Sequence, residues 1–508
     1  MKSSTQIVIL GAGPTGLSMA AQLIRYNIDF IILEKNEKTT HLSKAVAVQA
    51  RTLEIFQELG FSDEAVKQGQ VTSTINLFHN GKQKATINLT GIGDGLSAFP
   101  FVLSLEQSKT EQLLVDFLVG KNYSVRWGSS FTRFTENKNT VTVYYNDSTG
   151  LSHEIQATYL VGCDGASSTL RHQLGLVFKG DTIPKIFYVA DTSLKSSVIN
   201  KNELYMFMLK KGFVLFFPMQ LQGCYRIIGI LPDTNEAADL SNFSSVEDTI
   251  KNETKIPVEF EVVSWFSQYK VHSRKAQSFG SGRCFIAGDA AHIHTPAGGQ
   301  GMNTGIQDAY NLAWKIACEI RGEVNLEVLK SYNTERNGNA KNLLQTTDKL
   351  FDLIAGTTSF WRFIRLHFFS ALLGTLSHNR EVKKKIFSLL SQTAISYDDS
   401  YLTIQSSIAN VKAGIRMPHF VFSDGSHILS YLTEPSFKIL FFGDKHLNES
   451  DYLNKLISIV NISFTETPKK KFLNEKNFYI LLRPDNHISY IGKDIKICKA
   501  FLEKICHI

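Results

Sequence analysis

The sequence predicts an α/β fold built on a Rossmann-like domain, with a β-rich insert and a further C-terminal unit. Three glycine-bearing motifs carry this prediction: QIVILGAGPTGLSMAAQL (6–23), YLVGCDGASSTLR (159–171) and RCFIAGDAAHIHTPAGGQGMNTGIQDAYNLAWKIA (283–317). Each motif ends a predicted strand at a glycine turn, as dinucleotide-binding segments do. Their order along the chain indicates one site for an extended dinucleotide, and hence redox chemistry.

The first motif has the spacing of a pyrophosphate-binding turn. Gly11, Gly13 and Gly16 form a GxGxxG pattern after the apolar run IVIL, and they permit a tight turn and close phosphate approach. A second apolar run, FIIL, ends at Glu34, whose carboxylate lies at the usual distance for binding a ribose. The unit predicts an ADP moiety, from FAD or NAD. Its candidate residues are Gly11, Gly13, Pro14, Thr15, Gly16, Glu34 and Lys35.

The third motif favours FAD over NAD. Asp289 ends a predicted strand beside a glycine, where its carboxylate could bind a ribityl hydroxyl. The loop PAGGQGMN (296–303) leads into a helix, and its N–H groups could stabilise negative charge on a reduced flavin. The flavin-binding candidates are Asp289, Pro296, Gly299, Gly301, Met302 and Asn303.

Composition bounds the class of protein. The 508 residues are 43% hydrophobic and 20% charged with a net charge of +7, which is typical of globular proteins and argues against nucleic-acid binding. Six scattered cysteines without a CxxC pair argue against disulfides and favour a cytoplasmic location. The apolar segment 351–376 carries four charged or titratable residues, so we expect packed helices rather than a membrane span. A homodimer contact there is left open.

The segments outside the motifs are read from their periodicity. Residues 186–192, 204–209, 213–219 and 225–230 read as strands of a sheet that could form the floor of a substrate site. Its substrate candidates are Tyr205, Phe207, Phe217 and Tyr225, although about half of such side chains should face a core. Residues 125–127, 131–135 and 141–145 alternate like antiparallel strands, and 450–459 reads as a helix in an α/β tail.

With these motifs, the chain resembles the single-component FAD-dependent aromatic-ring hydroxylases, also called class A flavoprotein monooxygenases. GAGPTGL, LVGCDGASSTLR and GRCFIAGDAAHIHTPAGGQGMNTGIQDAYNLAWKI carry the resemblance, which covers essentially the whole chain. The tail is similar to the thioredoxin-like domain of the phenol- and polyketide-hydroxylating branch. The resemblance implies that Gln107 contacts the flavin and that Asp164 helps to bind both FAD and NAD(P)H.

The resemblance also implies a domain division. The FAD-binding domain would comprise residues 1–75, 100–175 and 275–350, and the inserted β-sheet substrate domain residues 76–99 and 176–274. A helical segment and linker (351–415) would lead to a thioredoxin-like C-terminal domain (416–508).

Three departures from the family pattern stand out. Lys44, a cofactor-binding candidate, replaces an arginine that would bind phosphate bidentately. Gly338 replaces a proline and is expected to loosen a helix end. The tail lacks CxxC, so thiol redox chemistry is not expected there.

The implied reaction uses NAD(P)H and O2 to hydroxylate a phenolic or polyketide-like aromatic through a flavin C4a-hydroperoxide. No catalytic base is assigned, and the pair His292 and His294 lacks a third ligand, so no metal is predicted. Two alternatives stay open: oxidative inactivation of an antibiotic, and a non-catalytic flavoprotein that binds aromatics. The substrate, the position hydroxylated and the choice between NADH and NADPH are also open.

Overall fold

The computed structural model describes residues 3–40, 45–209, 212–231, 242–295, 299–355, 379–444, 457–466 and 468–507. Its strands are β1 Ile7–Leu10, β2 Phe30–Leu33, β3 Ala47–Val48, β4 Gln70–Thr72, β5 Thr74–His79, β6 Lys82–Asn88, β7 Val102–Ser104, β8 Val125–Arg126, β9 Ser130–Glu136, β10 Val141–Asn146, β11 Ser152–Ala157, β12 Tyr159–Gly162, β13 Phe178–Lys195, β14 Glu203–Leu209, β15 Gly212–Pro218, β16 Cys224–Ile230, β17 Glu259–Ala276, β18 Gly280–Ser281, β19 Cys284–Ile286, β20 His292–Ile293, β21 Ser407–Ile408, β22 Val411–Lys412, β23 Phe437–Phe442, β24 Ile457–Ile462, β25 Phe478–Leu482 and β26 Ile488–Gly492. Its helices are α1 Pro14–Arg25, α2 Ala50–Leu59, α3 Ser62–Gln68, α4 Gln107–Gly120, α5 Thr169–Gln173, α6 Ser244–Thr254, α7 Gly301–Ile320, α8 Leu326–Tyr332, α9 Gly338–Ala355, α10 Arg380–Leu390, α11 Lys469–Phe472 and α12 Ile495–Ile505.

A six-stranded sheet forms the nucleotide-binding half of the α/β fold. Its order is β18-β19-β12-β1-β2-β8, with β1 parallel to both β12 and β2 and β12 parallel to β19. The runs IVIL and FIIL are buried at every position, as in parallel sheets that are covered on both faces, and α1 packs against both strands. The strands expected at 131–135 and 141–145 are present as the antiparallel pair β9 and β10. The prediction that 125–127 is also an antiparallel strand was wrong, because these residues follow α4 into β8, which pairs in parallel with β2.

An eight-stranded sheet forms the insert, in the order β20-β17-β13-β16-β15-β14-β5-β6. Phe216 and Ile227 lie on the face that packs with Val246 and Ile250 of α6, and this face we call the back face. The opposite face, on which Phe187 and Phe213 pack with Phe351 of α9, we call the front face. The sequence did not predict α6 or β17, because β17 mixes exposed apolar with half-buried polar residues and lacks a clean alternation.

The C-terminal unit contains a four-stranded sheet in the order β24-β23-β25-β26, followed by α12. Residues 457–459 lie in β24 and pair with β23, so the helix expected at 450–459 was wrong at that end; residues 450–456 lie outside the described ranges. The β-branched run from Ile457 to Ile462 favours a strand beside the buried β23. Of segment 351–376, residues 351–355 are described, and they end α9.

Gly338 does not loosen the helix end, contrary to expectation. Gly338 has helical dihedral angles (φ −62°, ψ −47°) and joins the π-helical turn Asn333–Asn337 to α9, so the helix continues instead of loosening.

Within the described ranges, no helix combines the length and the apolar character that crossing a bilayer requires.

A buried cluster of charges joins the C-terminal unit to α7. Arg483 donates from both terminal nitrogens to Glu335 at 2.6 and 3.0 Å, and Lys315 Nζ lies 2.7 Å from the same carboxylate. Asp485 pairs with Arg483 and accepts a hydrogen bond from Trp314 Nε1 at 3.2 Å. No side chain in these ion pairs exceeds 1% exposure, so each charge depends on its partners rather than on water.

Lys438 is also buried, but its charge is compensated less well by neighbouring groups than the charges of the Arg483 cluster. Its side chain is fully buried in β23, and its Nζ donates to the Ser436 carbonyl at 3.0 Å. Burial lowers the pKa of Lys438 to about 8, although Glu58 opposes the shift. Because the folded-state pKa lies below the unfolded value, the cost to stability is present below pH 8 and disappears as the pH rises to about 10.5.

Replacing Lys438 with methionine is therefore expected to raise the free energy of unfolding at pH 7 by about 1–3 kcal/mol. The difference between variant and wild type should shrink as the pH rises from 8 to 10.5. Urea denaturation of both proteins across this range measures it. A destabilised variant at pH 7, or a gap that does not change with pH, would contradict the assignment.

Candidate functional site

The three glycine motifs meet at one edge of the six-stranded sheet. Because β1, β12 and β19 are parallel neighbours, their carboxyl ends lie side by side, with Leu10 opposite Gly162 and Gly162 opposite Ile286. Gly11 follows its strand directly, and Asp164 and Gly288 each follow theirs after one intervening residue. The crevice outside the carboxyl ends of parallel strands is where nucleotides bind in such sheets.

Gly11 and Gly16 are required by close backbone packing. Gly11 has φ +94°, and a Cβ placed on it would lie 2.4 Å from the Cys163 carbonyl oxygen, which locks the first motif to the second. A Cβ on Gly16 would lie 1.9 Å from the Gly11 carbonyl oxygen. Any larger residue would force the turn, α1 and β12 apart.

Gly13 plays a different part. It caps the N-terminus of α1 with extended dihedral angles and no side-chain hydrogen bond, and Pro14 follows as the first helical residue. A Cβ on Gly13 would meet no protein atom within 4 Å. The open space in front of an uncapped helix N-terminus fits a pyrophosphate, which supplies negative charge and acceptors there.

Glu34 holds this turn from the end of β2. Its carboxylate is buried and accepts hydrogen bonds from Ala12 N at 2.7 Å and from Asn36 N and Nδ2 at 3.0 and 2.6 Å. The carboxylate therefore orders the glycine turn and stands at its rim, as a ribose ligand would. Lys35, the next residue, is exposed.

Thr15 joins the first motif to the third. Its Oγ1 lies 2.4 Å from a Cβ placed on Gly288 and 2.3 Å from one placed on Gly305. The side chain thus occupies the space that side chains on Gly288 and Gly305 would fill, and this contact holds α1 against α7. Thr15 is left with its backbone N–H to offer a cofactor.

The second motif supplies a bridge and an unpaired oxygen. Arg171 donates to the carbonyls of Ala290 and Ala166 at 2.9 Å, so it ties the second motif to the third. Asp164 accepts from Leu170 N at 3.2 Å through Oδ2. Its Oδ1 is buried and has no partner within the described part of the chain, so it can accept a hydrogen bond from a ligand.

Asp308 orders the turn that carries Asp289. Asp308 accepts from Gly288 N at 3.0 Å and from His292 Nε2 at 2.8 Å, and Arg336 Nε donates to it at 2.6 Å. Arg336 and His292 hold the pKa of Asp308 below its usual range despite burial. Asp289 lies exposed at the sheet edge as a result. Sequence reasoning missed Asp308, although it lies within the third motif, in α7.

The glycine-rich loop differs in part from expectation. Gly299 has φ +62°, α7 begins at Gly301, and Met302 is half-buried. Asn303, however, is fully buried with four side-chain hydrogen bonds: it accepts from Gln49 N and Thr52 Oγ1 and donates to the carbonyls of Ala47 and Gly299, all at 2.8–2.9 Å. Its amide therefore fixes α7 to α2 and has no further capacity. Pro296 lies outside the described ranges.

His294 lies beside Gly301 in neutral form. Its Nδ1 is 2.7 Å from the Thr295 carbonyl, so the proton resides on Nδ1, and Nε2 is a buried acceptor 3.5 Å from a Cβ placed on Gly301. Burial and the neighbouring His292 lower the pKa of His294 to about 4. At neutral pH the loop thus faces no histidine charge from this side.

Gln107 is the first residue of α4. Its N–H donates to the Ala45 carbonyl at 3.1 Å, and its Nε2 donates to Glu111 at 2.8 Å. Burial raises the pKa of the Glu111 carboxyl to about 6. Lys44 lies outside the described ranges, next to Ala45.

The four substrate candidates do not lie together. Tyr205, Phe207 and Tyr225 point to the back face and pack in the core under α6, where Tyr225 Oη donates to the Asn200 carbonyl at 2.8 Å. Phe217 points to the front face and is half-buried. The parity of each strand separates them, since neighbours along a strand face opposite sides.

Comparison with known proteins agrees with this geometry. The family described as FAD binding domain matches residues 4–347. A 6-methylpretetramide 4-monooxygenase of Streptomyces rimosus is 31% identical over 86% of this chain and 79% of its own length. An uncharacterized aromatic compound monooxygenase of Bacillus subtilis is 30% identical over 99% of this chain and 98% of its own. The solved structure of the anhydrotetracycline hydroxylase from Streptomyces rimosus superimposes with a TM-score of 0.79, at 25% identity and 99% coverage of both chains.

The matched region contains all three glycine motifs and ends within α9. The family resemblance of the sequence and the expected cofactor are therefore confirmed. The chain belongs to the FAD-dependent aromatic-ring hydroxylases, a family of flavoprotein monooxygenases.

Proposed function

We propose that this monooxygenase hydroxylates a flat, polycyclic phenolic compound of the polyketide type. The front face of the eight-stranded sheet carries the proposal. Cross-strand pairing places Trp265, Asp191, Arg226 and Phe217 in one row, and Ser267, Val189, Ile228 and Leu215 in the next. Rings of several fused cycles fit such a broad, mostly apolar surface. The relatives that are named for 6-methylpretetramide and anhydrotetracycline support this substrate class.

The charged pair in the first row is neutralised within the protein. Arg226 donates to both oxygens of Asp191 at 2.7 Å and to the Ala45 carbonyl at 2.9 Å, and its guanidinium lies 5.4 Å from the Trp265 ring. An arginine held this way offers no net charge to an anion. We therefore expect the floor to select neutral aromatic rings.

The front face is connected to the elements that we propose to bind the flavin. Ala45 receives hydrogen bonds from both Arg226 of the sheet and Gln107 of α4. At the other edge, β17 pairs with β20, whose chain runs on into the glycine-rich loop. A substrate on this floor would lie between the sheet and that loop, shielded from water.

We propose the following roles for the predicted site residues. The uncapped turn at Gly13 and Pro14 binds the pyrophosphate, Glu34 the ribose, Asp289 the ribityl chain, and the loop from Gly299 to Met302 the isoalloxazine ring. The N–H groups at the start of α7 stabilise negative charge on that ring. Bound FAD, once reduced by NAD(P)H, supplies the activation of O2. Pro296 and Lys44 stay predictions, and the carboxylate of Asp164 is available to a ligand.

We also propose the domain division given above, with a thioredoxin-like C-terminal domain. The sheet order β24-β23-β25-β26, with one parallel pair followed by two antiparallel pairs, supports this assignment. The domain has no CxxC pair and fixes α7 through Arg483 instead.

Product analysis under 18O2 tests the proposed function. The purified protein with FAD and NADH or NADPH should convert at least one polycyclic phenol to a product heavier by one 18O atom, and that phenol should stimulate NAD(P)H oxidation. Products without 18O would reject hydroxylation. Flavin binding without any stimulated oxidation across the panel would favour the non-catalytic alternative.

Leu215→Trp tests the floor. The larger side chain should fill the front face and lower kcat/KM for the phenol by about tenfold or more, while FAD affinity stays at the wild-type value. Tyr225→Phe is the matched control, since it removes a back-face hydroxyl and should leave kcat/KM within about twofold. Equal effects of the two variants, or no effect of Leu215→Trp, would place the substrate elsewhere.

A further inference from the structure

Gln392 has an unusual backbone for a buried, non-glycine residue. It follows the C-terminus of α10, is 5% exposed and has φ +59°. The left-handed conformation is strained for a residue with a side chain, and such strain persists where the surroundings impose it. Gln392 follows the C-cap Ser391, which is the usual left-handed position at a helix end, and Ala394 N donates to the Ser388 carbonyl at 3.2 Å across it. The side chain of Gln392 contacts α7.

The Gln392 amide is bonded to the first turns of α7. Its Nε2 donates to Thr304 Oγ1 at 2.7 Å, and its Oε1 accepts from Gln307 Nε2 at 2.5 Å. The Gln300 side chain, at the N-cap of α7, donates in turn to the Leu389 carbonyl at 3.2 Å. The end of α10 therefore contacts α7 on both sides of residues 301–303, at Gln300 on one side and at Thr304 and Gln307 on the other.

The same segment also binds α2. The Ser391 carbonyl accepts from Arg51 N at 3.2 Å, in the first turn of α2. That turn is the one to which Asn303 is fixed by its side chain. Residues 389–392 therefore close a loop of contacts around the start of α7, although they are about ninety residues away in sequence.

We propose that Gln392 is a positioning residue that sets the orientation of the turn 300–304 and, through it, the environment of the flavin. This rests on the proposed position of the isoalloxazine ring beside that turn. The left-handed backbone aims the amide at Thr304 and Gln307, and loss of the amide frees the turn to tilt. Hydrogen-bond donors at the start of α7 then move relative to the ring, which changes both FAD affinity and its reduction potential.

Gln392→Asn and Gln392→Gly test the proposal. Asparagine tolerates the left-handed backbone but is one methylene too short to reach both partners, and glycine relieves the strain and removes the amide. Both variants should raise the FAD dissociation constant about fivefold or more and move the midpoint potential and visible flavin spectrum away from wild type. Asn122→Gly, at an exposed left-handed turn (φ +62°), is the control and should change none of these.

The outcomes separate this inference from the proposed reaction. Melting temperatures that fall while FAD affinity, spectrum and potential stay at wild-type values would show a purely structural role and overturn the inference. If the Gln392 variants do not fold, Thr304→Val removes the same hydrogen bond from the other side and is judged by the same readouts. A wild-type protein that binds FAD but oxidises no phenol would reject the proposed substrate class and leave the Gln392 test intact.

Discussion

Replacing Arg483 with methionine is expected to lower the free energy of unfolding by about 3–5 kcal/mol. The guanidinium is the partner of both Glu335 and Asp485, and its loss leaves two buried carboxylates undercompensated. Arg483 and Lys315 hold the pKa of Glu335 at about 2. That pKa lies below the unfolded value, so the pair's stabilisation is present above about pH 4.5 and is lost as the pH falls towards 2.

Urea denaturation at pH 7 and pH 3 measures this effect. The variant should be less stable at pH 7, and its stability should fall less than that of wild type between the two pH values. Lys412→Met is the matched control, since Lys412 pairs with Asp398 on the surface, where the side chains are 54% and 41% exposed. It should cost less than about 1 kcal/mol. An Arg483 variant as stable as the control would contradict the view that this cluster fixes the C-terminal unit.

Replacing Gly13 with alanine is expected to reduce FAD affinity at least about tenfold without destabilising the apoprotein. Gly13 has φ −75°, which alanine adopts without strain, and the added Cβ meets no protein atom within 4 Å. The Cβ would instead occupy the space that a phosphate needs to approach the N-terminus of α1. Thermal melting of the apoprotein and FAD titration by flavin fluorescence measure the two quantities separately.

Gly16→Ala provides the contrast within the same motif. Its Cβ would lie 1.9 Å from the Gly11 carbonyl oxygen, so we expect the apoprotein itself to lose about 1–3 kcal/mol. Wild-type FAD affinity in Gly13→Ala would show that the space in front of α1 is not where the pyrophosphate binds, and equal destabilisation of the two apoproteins would show that this space is not open.

The motif turns could be predicted from sequence because their causes are local. Gly11 and Gly16 occupy positions where backbones touch, and Gly13 faces open space, which the GxGxxG spacing encodes directly. Parallel pairing of β1, β12 and β19 then brings the turns together, since each motif ends at the carboxyl end of its strand. These elements needed no knowledge of distant contacts.

The features that the sequence did not disclose depend on partners far along the chain. Asn303 stays a prediction as a flavin contact through its backbone, whereas its side-chain amide is bonded to residues near position 50. Tyr205 and Phe217 were grouped as aromatic, whereas register and parity send them to opposite faces. Asp308 and Gln392 have no local pattern, because their partners lie on other elements.

A crystal structure of the protein with FAD bound tests the central claim most directly. We expect the pyrophosphate at the N-terminus of α1 beside Gly13, and the isoalloxazine ring between residues 299–302 and the front face of the eight-stranded sheet. A flavin bound elsewhere, with its ring touching neither the glycine-rich loop nor that face, would contradict it.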